Sequence, residues 1–87
     1  MKNILITGAS QGIGRATAIE AAKLGAFVGI NYNQNLKAAE SCLEEVNASG
    51  GKGIILQCDV ADNAAVKEMF RTFLEKMHYP ENIFKGL

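Results

Sequence analysis

Short, uninterrupted apolar runs alternate with longer segments of helical periodicity, and this alternation constrains the fold more than any other feature. The runs are Ile4–Ile6, Phe27–Ile30 and Ile54–Leu56. Strands covered on both faces lack the apolar–polar alternation of half-exposed strands, so the runs predict a parallel sheet. The order βαβαβα with right-handed crossovers predicts an α/β fold with three layers. It is half of a doubly wound sheet with strand order 3-2-1, and its first two helices share one face.

A segment with apolar residues at helical spacing follows each run. Gly25 is the expected end of the first helix, Ser49–Gly51 closes the second, and Asp62 is expected to cap the third. The residues expected to face the core are Ile13, Thr17, Ala21 and Leu24 in the first helix, Leu36, Ala39, Leu43 and Val46 in the second, and Val66, Met69, Phe70, Phe73, Leu74 and Met77 in the third.

The periodic pattern ends near the last ten residues. We therefore predict one partial domain over residues 1–77 and an irregular tail over 78–87, with a break at Tyr79-Pro80. The first strand should be central in a doubly wound sheet, yet the predicted elements give it no neighbour on its far side. That predicts an open strand edge and exposed apolar surface, through which the chain could self-associate or bind a partner chain.

The stretch Thr7–Gly14, TGASQGIG, joins the first strand to the first helix. Gly8 allows a tight exit from the strand. Gly12 lets the backbone approach a phosphate without a Cβ in the way, and Gly14 lets the helix pack closely on the sheet. The helix N-terminus offers N–H groups and a positive dipole end, and the hydroxyls of Thr7 and Ser10 can fix the turn or reach a ligand. The motif predicts a site for a dinucleotide pyrophosphate.

The glycine spacing also separates classes of nucleotide-binding protein. G-x-x-x-x-G-K-[ST] is absent, so the motif is not a Walker-type phosphate loop. The observed G-x-x-x-G-x-G also differs from the G-x-G-x-x-G of the larger dehydrogenases.

With this motif the chain resembles the N-terminal part of the short-chain dehydrogenase/reductase family, over roughly residues 2–75. Asn31-Tyr32 after the second strand and Cys58-Asp59-Val60 after the third look most like the β-ketoacyl-acyl-carrier-protein reductases. The resemblance implies a Rossmann dinucleotide-binding domain in which the Asp59 side chain meets the adenine amino group. The candidate cofactor-binding residues are Thr7, Gly8, Ser10, Gln11, Gly12, Ile13, Gly14, Arg15, Asn31, Tyr32, Asp59 and Val60.

The choice of dinucleotide depends on the end of the second strand, where NAD-binding units place an acidic residue on the ribose hydroxyls. No acid lies between Glu20 and Glu40. A carboxylate there would repel a 2′-phosphate, so its absence favours NADP(H) over NAD(H). Arg15 and Lys37 are the nearest basic candidates for that phosphate. Gln11 stands where many NADP-binding relatives carry a basic residue, which counts against NADP(H).

The resemblance implies hydride transfer between the nicotinamide and a carbonyl or alcohol. A Tyr acts as acid or base, a nearby Lys lowers its pKa, and a Ser orients the substrate. The family carries these residues as Y-x-x-x-K with an upstream Ser, after an N-A-G segment. The fourth residue after Tyr79 is Ile83, and no such N-A-G segment is present. We therefore assign no catalytic residue, and His78 is interpreted as a surface or cap residue.

The composition narrows the partners further. Nine basic residues balance nine acidic ones, so no charge excess indicates binding to nucleic acid or to an anionic membrane. Cys42 and Cys58 lack metal-ligand spacing and are expected to be reduced thiols of a cytoplasmic protein. No apolar segment has the length of a membrane span, and we predict no metal site.

Three functions remain open from the sequence. The leading one is a truncated short-chain oxidoreductase that retains most of the cofactor-contacting half, lacks the catalytic half and is inactive alone. The second is a small non-catalytic nucleotide-binding module or partner subunit. The third, a methyltransferase on a related fold, is disfavoured by the glycine spacing and by the absence of an acid after the second strand.

Overall fold

The protein is described by a computed structural model over residues 2–78. Three strands and three helices alternate along the chain, as β1 (Asn3–Ile6), α1 (Gly12–Lys23), β2 (Phe27–Tyr32), α2 (Leu36–Ala48), β3 (Lys52–Gln57) and α3 (Asn63–His78). The strands form one parallel sheet in the order β1-β2-β3, which confirms the predicted topology.

The two faces of the sheet hold separate apolar clusters. Alternate residues of β2 point to opposite faces, so Val28 and Ile30 pack with α1 and α2, whereas Phe27 packs with α3. The Phe27 and Phe73 rings stack with centroids 5.6 Å apart. The α3 side depends on a small residue as well, because a Cβ on Gly29 would lie 2.7 Å from Cδ1 of Phe73. The predicted placement of α1 and α2 on one face is confirmed.

The predicted core stripe of α1 is wrong except at Ala21, which is half-buried and packs against the core. Ala18 and Ala22 are fully buried, whereas Ile13 and Leu24 are 86% and 79% exposed. The cause is the close approach of the neighbouring backbone, because a Cβ on Gly51 would lie 2.8 Å from Cα of Ala22. At that separation only a small side chain fits between helix and sheet, so the alanines face inward and the larger apolar residues face solvent.

The stripes of α2 and α3 agree better with the structure. In α2, Ala39 and Val46 are buried as predicted, while Leu36 is exposed. Cys42 completes the buried stripe, although the sequence did not single it out for the core. Met69 and Phe73 of α3 are buried and Val66 and Met77 pack against them, as predicted. Phe70 and Leu74, predicted for the same stripe, are exposed.

The predicted helix boundaries hold closely. The backbone N–H of Gly25 donates to the Ala22 oxygen at 2.9 Å where α1 ends. Oδ1 of Asp62 accepts from the N–H groups of Ala64 and Ala65 at 3.0 and 3.1 Å, which confirms the cap of α3. Asn35 caps α2 in the same way, accepting from Ala38 N–H at 3.0 Å.

Several boundaries differ from the prediction. β1 begins at Asn3 and β3 at Lys52, before the apolar runs from which they were predicted. β2 continues past Ile30 because Asn31 and Tyr32 still pair with β3. α3 runs through His78, so the helix extends one residue into the segment predicted as irregular. Residues 79–87, including Tyr79 and Pro80, lie outside the described residues. Within residues 2–78 no helix is both long and apolar enough to cross a membrane.

Candidate functional site

The predicted ligand residues gather at one edge of the sheet. Because the strands are parallel, their carboxyl ends meet there, and ligands of such sheets bind at this edge. The turn after β1 holds Thr7–Gln11, the loop after β2 holds Asn33–Asn35, and the loop after β3 holds Cys58–Asp62. The structure thus brings together two segments far apart in sequence, the glycine turn and the Asp59 loop.

The glycine turn has the geometry that its sequence predicts. Gly8 and Gly12 adopt φ angles of +63° and +60°, a left-handed conformation that side chains disfavour. Gly14 is needed for a different reason, because a Cβ there would lie 2.6 Å from the Gly8 carbonyl oxygen. The first turn of α1 therefore lies against the chain that leaves β1. The close packing at Gly14 is contact with this turn and not, as predicted, with the sheet.

The N-terminus of α1 is directed into the same turn. Gln11 is its N-cap residue, in extended conformation, and its side chain makes no capping hydrogen bond. The first N–H groups of a helix lack partners within the helix, so an anion at this position finds both donors and the positive end of the helix dipole. Thr7, Gln11 and Ile13 are exposed around the turn, and Ser10 is half-buried.

Hydrogen bonds to β2 and α2 hold the glycine turn in place. Ala9 is fully buried, and its N–H donates to the Asn31 carbonyl oxygen at 3.1 Å. The Ala9 carbonyl accepts from the Cys42 thiol at 3.3 Å. These bonds preorganise the turn. Cys42 was missed as a supporting residue, although its helical spacing from Ala39 and Val46 places it on the stripe of α2 that faces the sheet.

The Cys42 thiol is held in its neutral form. Its burial raises the pKa above the ordinary value, the nearby Arg15 guanidinium partly opposes this, and the Glu45 carboxylate adds a smaller rise. A neutral thiol keeps the proton that it donates to Ala9.

Arg15 joins α1 to α2. One guanidinium nitrogen, Nη1, donates to the carbonyl oxygens of Ser10 and Ala38 at 3.4 and 3.2 Å. The other, Nη2, donates to Ser41 Oγ at 3.0 Å and forms an ion pair with the Glu45 carboxylate. Arg15 therefore lies beside the glycine turn, but any anionic ligand would share its charge with Glu45. The sequence indicated neither Ser41 nor Glu45.

Asn31 and Tyr32 occupy the last two positions of β2. The Asn31 side chain is buried and hydrogen-bonded within the protein. Tyr32 is half-buried and packs at the edge of the α1–α2 cluster, and its carbonyl accepts from Cys58 N–H at 2.9 Å. Asn31 thus lies at the site as a supporting residue, and a direct contact with a ligand stays a prediction.

Asp59 and Val60 follow β3 at the same edge, and both are exposed. Oδ1 of Asp59 accepts from Ala61 N–H at 2.9 Å, and its backbone oxygen accepts from Asp62 N–H at 2.9 Å. Asp59 therefore orders its own loop through Oδ1 and its backbone oxygen. The other carboxylate oxygen, Oδ2, takes no part in these two bonds and belongs to an exposed side chain. Within residues 2–78, no three His, Cys, Asp or Glu side chains form a cluster that could hold a metal ion.

The sequence profile described as short chain dehydrogenase matches residues 2–82. The chain belongs to the short-chain dehydrogenase family. It is 47% identical over 66 residues to the uncharacterized oxidoreductase YgfF of Escherichia coli strain K12, covering 76% of this chain and 27% of that protein. A 3-oxoacyl-[acyl-carrier-protein] reductase of Synechocystis is 43% identical over 72 residues, 83% of this chain and 29% of the relative. Such reductases are one of several kinds of relative.

A shorter relative matches too. The short-chain dehydrogenase/reductase homolog YusS of Bacillus subtilis strain 168 is 37% identical over 73 residues, which make up 84% of this chain and 67% of that protein. The chain otherwise spans only 27% and 29% of the length of the YgfF and Synechocystis relatives.

Solved structures show the same architecture. The NADH-dependent reductase A1-R′ complexed with NAD has a TM-score of 0.80 and 37% identity, over 86% of this chain and 31% of the other. A putative dehydrogenase from Burkholderia cenocepacia with bound NADP has a TM-score of 0.81 and 30% identity, over 91% and 30%. The Rossmann-like fold is confirmed, and the family binds NAD(P).

Proposed function

We propose that this chain binds NADP(H) in preference to NAD(H), as the cofactor-holding part of a short-chain oxidoreductase. One observation carries the proposal. The glycine turn, the N-terminus of α1 and the Asp59 loop meet at the carboxyl edge of a parallel sheet. That edge offers hydrogen-bond donors for a pyrophosphate and, two strands away across the sheet, an exposed carboxylate for an adenine amino group.

The proposed roles follow the order of the strands. Thr7, Gly8, Ser10 and the first turn of α1, from Gln11 to Gly14, surround the pyrophosphate. Tyr32 and Arg15, with the backbone of Asn31, lie toward the adenosine ribose. Asp59 and Val60 hold the adenine, the carboxylate as hydrogen-bond acceptor and the valine, which is 54% exposed, as an apolar contact.

The preference for NADP(H) rests on charge. No acid occupies the end of β2 or the loop that follows it, so nothing there repels a 2′-phosphate. The Arg15 guanidinium supports the preference only in part, because Glu45 already neutralises it. The similar structures include both an NAD complex and an NADP complex, and therefore favour neither dinucleotide.

We propose that the chain alone does not catalyse hydride transfer. Its sequence contains no Tyr-x-x-x-Lys, since Leu36 and Ile83 stand four residues after its two tyrosines. Without a tyrosine of lowered pKa, no group assigned here can exchange a proton with a carbonyl oxygen.

Titration of the purified protein with NADPH and NADH tests the binding, with nicotinamide fluorescence and thermal unfolding followed together. We expect saturable binding of NADPH that also raises the unfolding temperature, because a ligand that binds only the folded state stabilises it.

Asp59→Ala should weaken binding about fivefold, the equivalent of one hydrogen bond. Asp62→Ala is the control, because it removes another carboxylate of the same loop, and this carboxylate caps α3. It should lower stability with little change in affinity. Failure of both dinucleotides to bind a folded chain would contradict the proposal.

A second candidate is a non-catalytic cytoplasmic nucleotide-binding subunit that associates with itself or with another chain. Within residues 2–78, β1 lies at the edge of the sheet, and its Ile4–Ile6 remain half-buried whereas Phe27–Ile30 of β2 are buried. Phe70 and Leu74, one turn apart on α3, are 49% and 48% exposed. Open strand edges and exposed apolar pairs favour association. A defined oligomer that still binds NADPH would favour this candidate.

A further inference from the structure

Asn31 is the one buried polar or charged residue in the part of the chain that the structure describes, with 3% of its surface exposed. It lies in β2, the middle strand, next to both β1 and β3. Buried amides persist where their polar atoms find partners, so the bonds of this side chain show what it is for.

The side chain bonds to both neighbouring segments at once. Oδ1 accepts from Gly8 N–H at 3.2 Å, in the turn that follows β1. Nδ2 donates to the carbonyl oxygens of Leu56 and Cys58, each at 3.2 Å, where β3 ends. One amide group therefore spans the sheet from the glycine turn to the start of the Asp59 loop.

These bonds form where regular strand pairing stops. β1 ends at Ile6 and β3 at Gln57, so Gly8 and Cys58 lie just beyond the paired strands. The amide extends the hydrogen bonding of the sheet into both loops. Because each end of the amide is used inside the protein, the side chain acts through the residues that it holds.

We infer that Asn31 is a positioning residue that couples the glycine turn to the Asp59 loop, and so sets the distance between the phosphate end and the adenine end of the dinucleotide site. This inference rests on the proposed function of the site. It differs from the contact role predicted from the sequence, in which Asn31 itself touches the cofactor. In the coupled role, a change at Asn31 disturbs both loops together and lowers affinity more than the loss of stability explains.

Asn31→Asp provides the test, because it changes the hydrogen bonding and almost nothing of the shape. An ionised carboxylate would face the carbonyl oxygens of Leu56 and Cys58, whereas a protonated one can donate to one of them and still accept from Gly8. The bonded segment of β1 and its turn, residues 3–9, carries no titratable side chain. The loop after β3 carries Cys58 and Asp59, which wild type shares.

The NAD⁺ dissociation constant is measured at pH 8 and pH 5, at a temperature where each variant is fully folded, and divided by the wild-type value at the same pH. Burial beside these carbonyl oxygens raises the pKa of the new carboxyl above its ordinary value. We therefore expect a ratio of about ten at pH 8, comparable to the loss of one buried hydrogen bond, that falls toward one at pH 5. Val46→Ala is the matched control, because it removes buried volume from α2 at a residue outside these bonds. Its ratio should stay near one at both pH values although its stability falls.

Amide hydrogen exchange without ligand separates this inference from the proposed function. In Asn31→Asp at pH 8, the protection factors of Gly8 and Ala9 and those of Ala61 and Asp62 should fall together, and both sets should recover at pH 5. In Val46→Ala the two loops should be no more affected than the remaining amides. Loss of protection in the glycine turn alone, or a dissociation-constant ratio that does not change with pH, would overturn the coupling. Failure of wild type to bind NAD⁺ and NADPH would overturn the proposed function and leave the exchange result to decide the coupling.

Discussion

The backbone of Gly14 lies directly against the backbone of Gly8, so that a Cβ on Gly14 would be 2.6 Å from the Gly8 carbonyl oxygen. Real Cβ atoms do not approach an oxygen so closely, and this neighbour is backbone, which cannot rotate away. The contact joins the first turn of α1 to the chain that leaves β1. It therefore holds the N–H groups of the helix in register with the turn.

For Gly14→Ala we expect dinucleotide binding to be lost and the free energy of unfolding to fall. Overpacking costs about 1–3 kcal/mol, and the better helix propensity of Ala returns up to about 1 kcal/mol. Fluorescence titration and urea unfolding measure the two effects. The matched control is Gly53→Ala in β3, where a Cβ would lie 2.7 Å from the Val28 oxygen. It should lower stability yet leave the affinity of the folded protein unchanged. Equal affinities for the two variants would contradict a specific role for Gly14.

The Cys42 thiol gives stability a dependence on alkaline pH. Burial raises the pKa of the folded thiol above its ordinary value of 9.0, so the folded state holds the proton more tightly than the unfolded state. This contribution is fully present below pH 9 and is lost as the pH rises through the folded pKa. Cys42→Ala should therefore cost about 1 kcal/mol at pH 7 and less at pH 10, measured by urea unfolding.

Cys58→Ala is the control for Cys42→Ala, because Cys58 is the other buried thiol. It leaves Cys42 and its bond to Ala9 in place, so it should retain the alkaline loss of stability seen in wild type. A stability difference between wild type and Cys42→Ala that is the same at pH 7 and pH 10 would show that the thiol contributes no such dependence.

The sequence was sufficient for the topology and for the glycine turn. Short loops and right-handed crossovers leave few possible topologies for a βαβαβα chain. Few residues other than glycine adopt the left-handed backbone conformation of Gly8 and Gly12. The rotation of α1 was not predictable from hydrophobicity, which favoured Ile13 and Leu24 over the alanines. How closely a helix approaches a sheet depends on residues distant in sequence, such as Gly51 against Ala22.

The supporting residues of the site were harder to predict for a related reason. Asn31 follows an apolar run and precedes a polar loop, a pattern equally typical of a ligand contact and of a buried amide. Only the positions of Gly8 and Cys58 on either side of it distinguish the two. The ion pair of Arg15 with Glu45 joins residues 30 positions apart on different helices, so it depends on the packing of α1 against α2.

The exposed pair on α3 can be tested without a known partner. If Phe70 and Leu74 form part of an association surface, the double substitution Phe70→Ser/Leu74→Ser should shift any concentration-dependent oligomer toward monomer in sedimentation velocity. Secondary structure should be retained, because the buried Met69 and Phe73 are unchanged. Lys67→Ser, an exposed position on the same helix, should leave the oligomer as it is. A double variant that sediments like wild type at every concentration would exclude the pair from association.

Removing the carboxylate that neutralises Arg15 should raise the preference for NADPH. Glu45 is half-exposed, so its ion pair contributes only about 0–1 kcal/mol to stability, and Glu45→Gln should unfold almost like wild type. The guanidinium would then face a 2′-phosphate without a competing negative charge, and NADPH affinity should rise about threefold while NADH affinity stays constant. Glu44→Gln makes the same charge change at the neighbouring position of α2 and controls for net charge. If both variants raise NADPH affinity equally, the effect is one of overall charge. If neither does, Arg15 serves only to join the two helices.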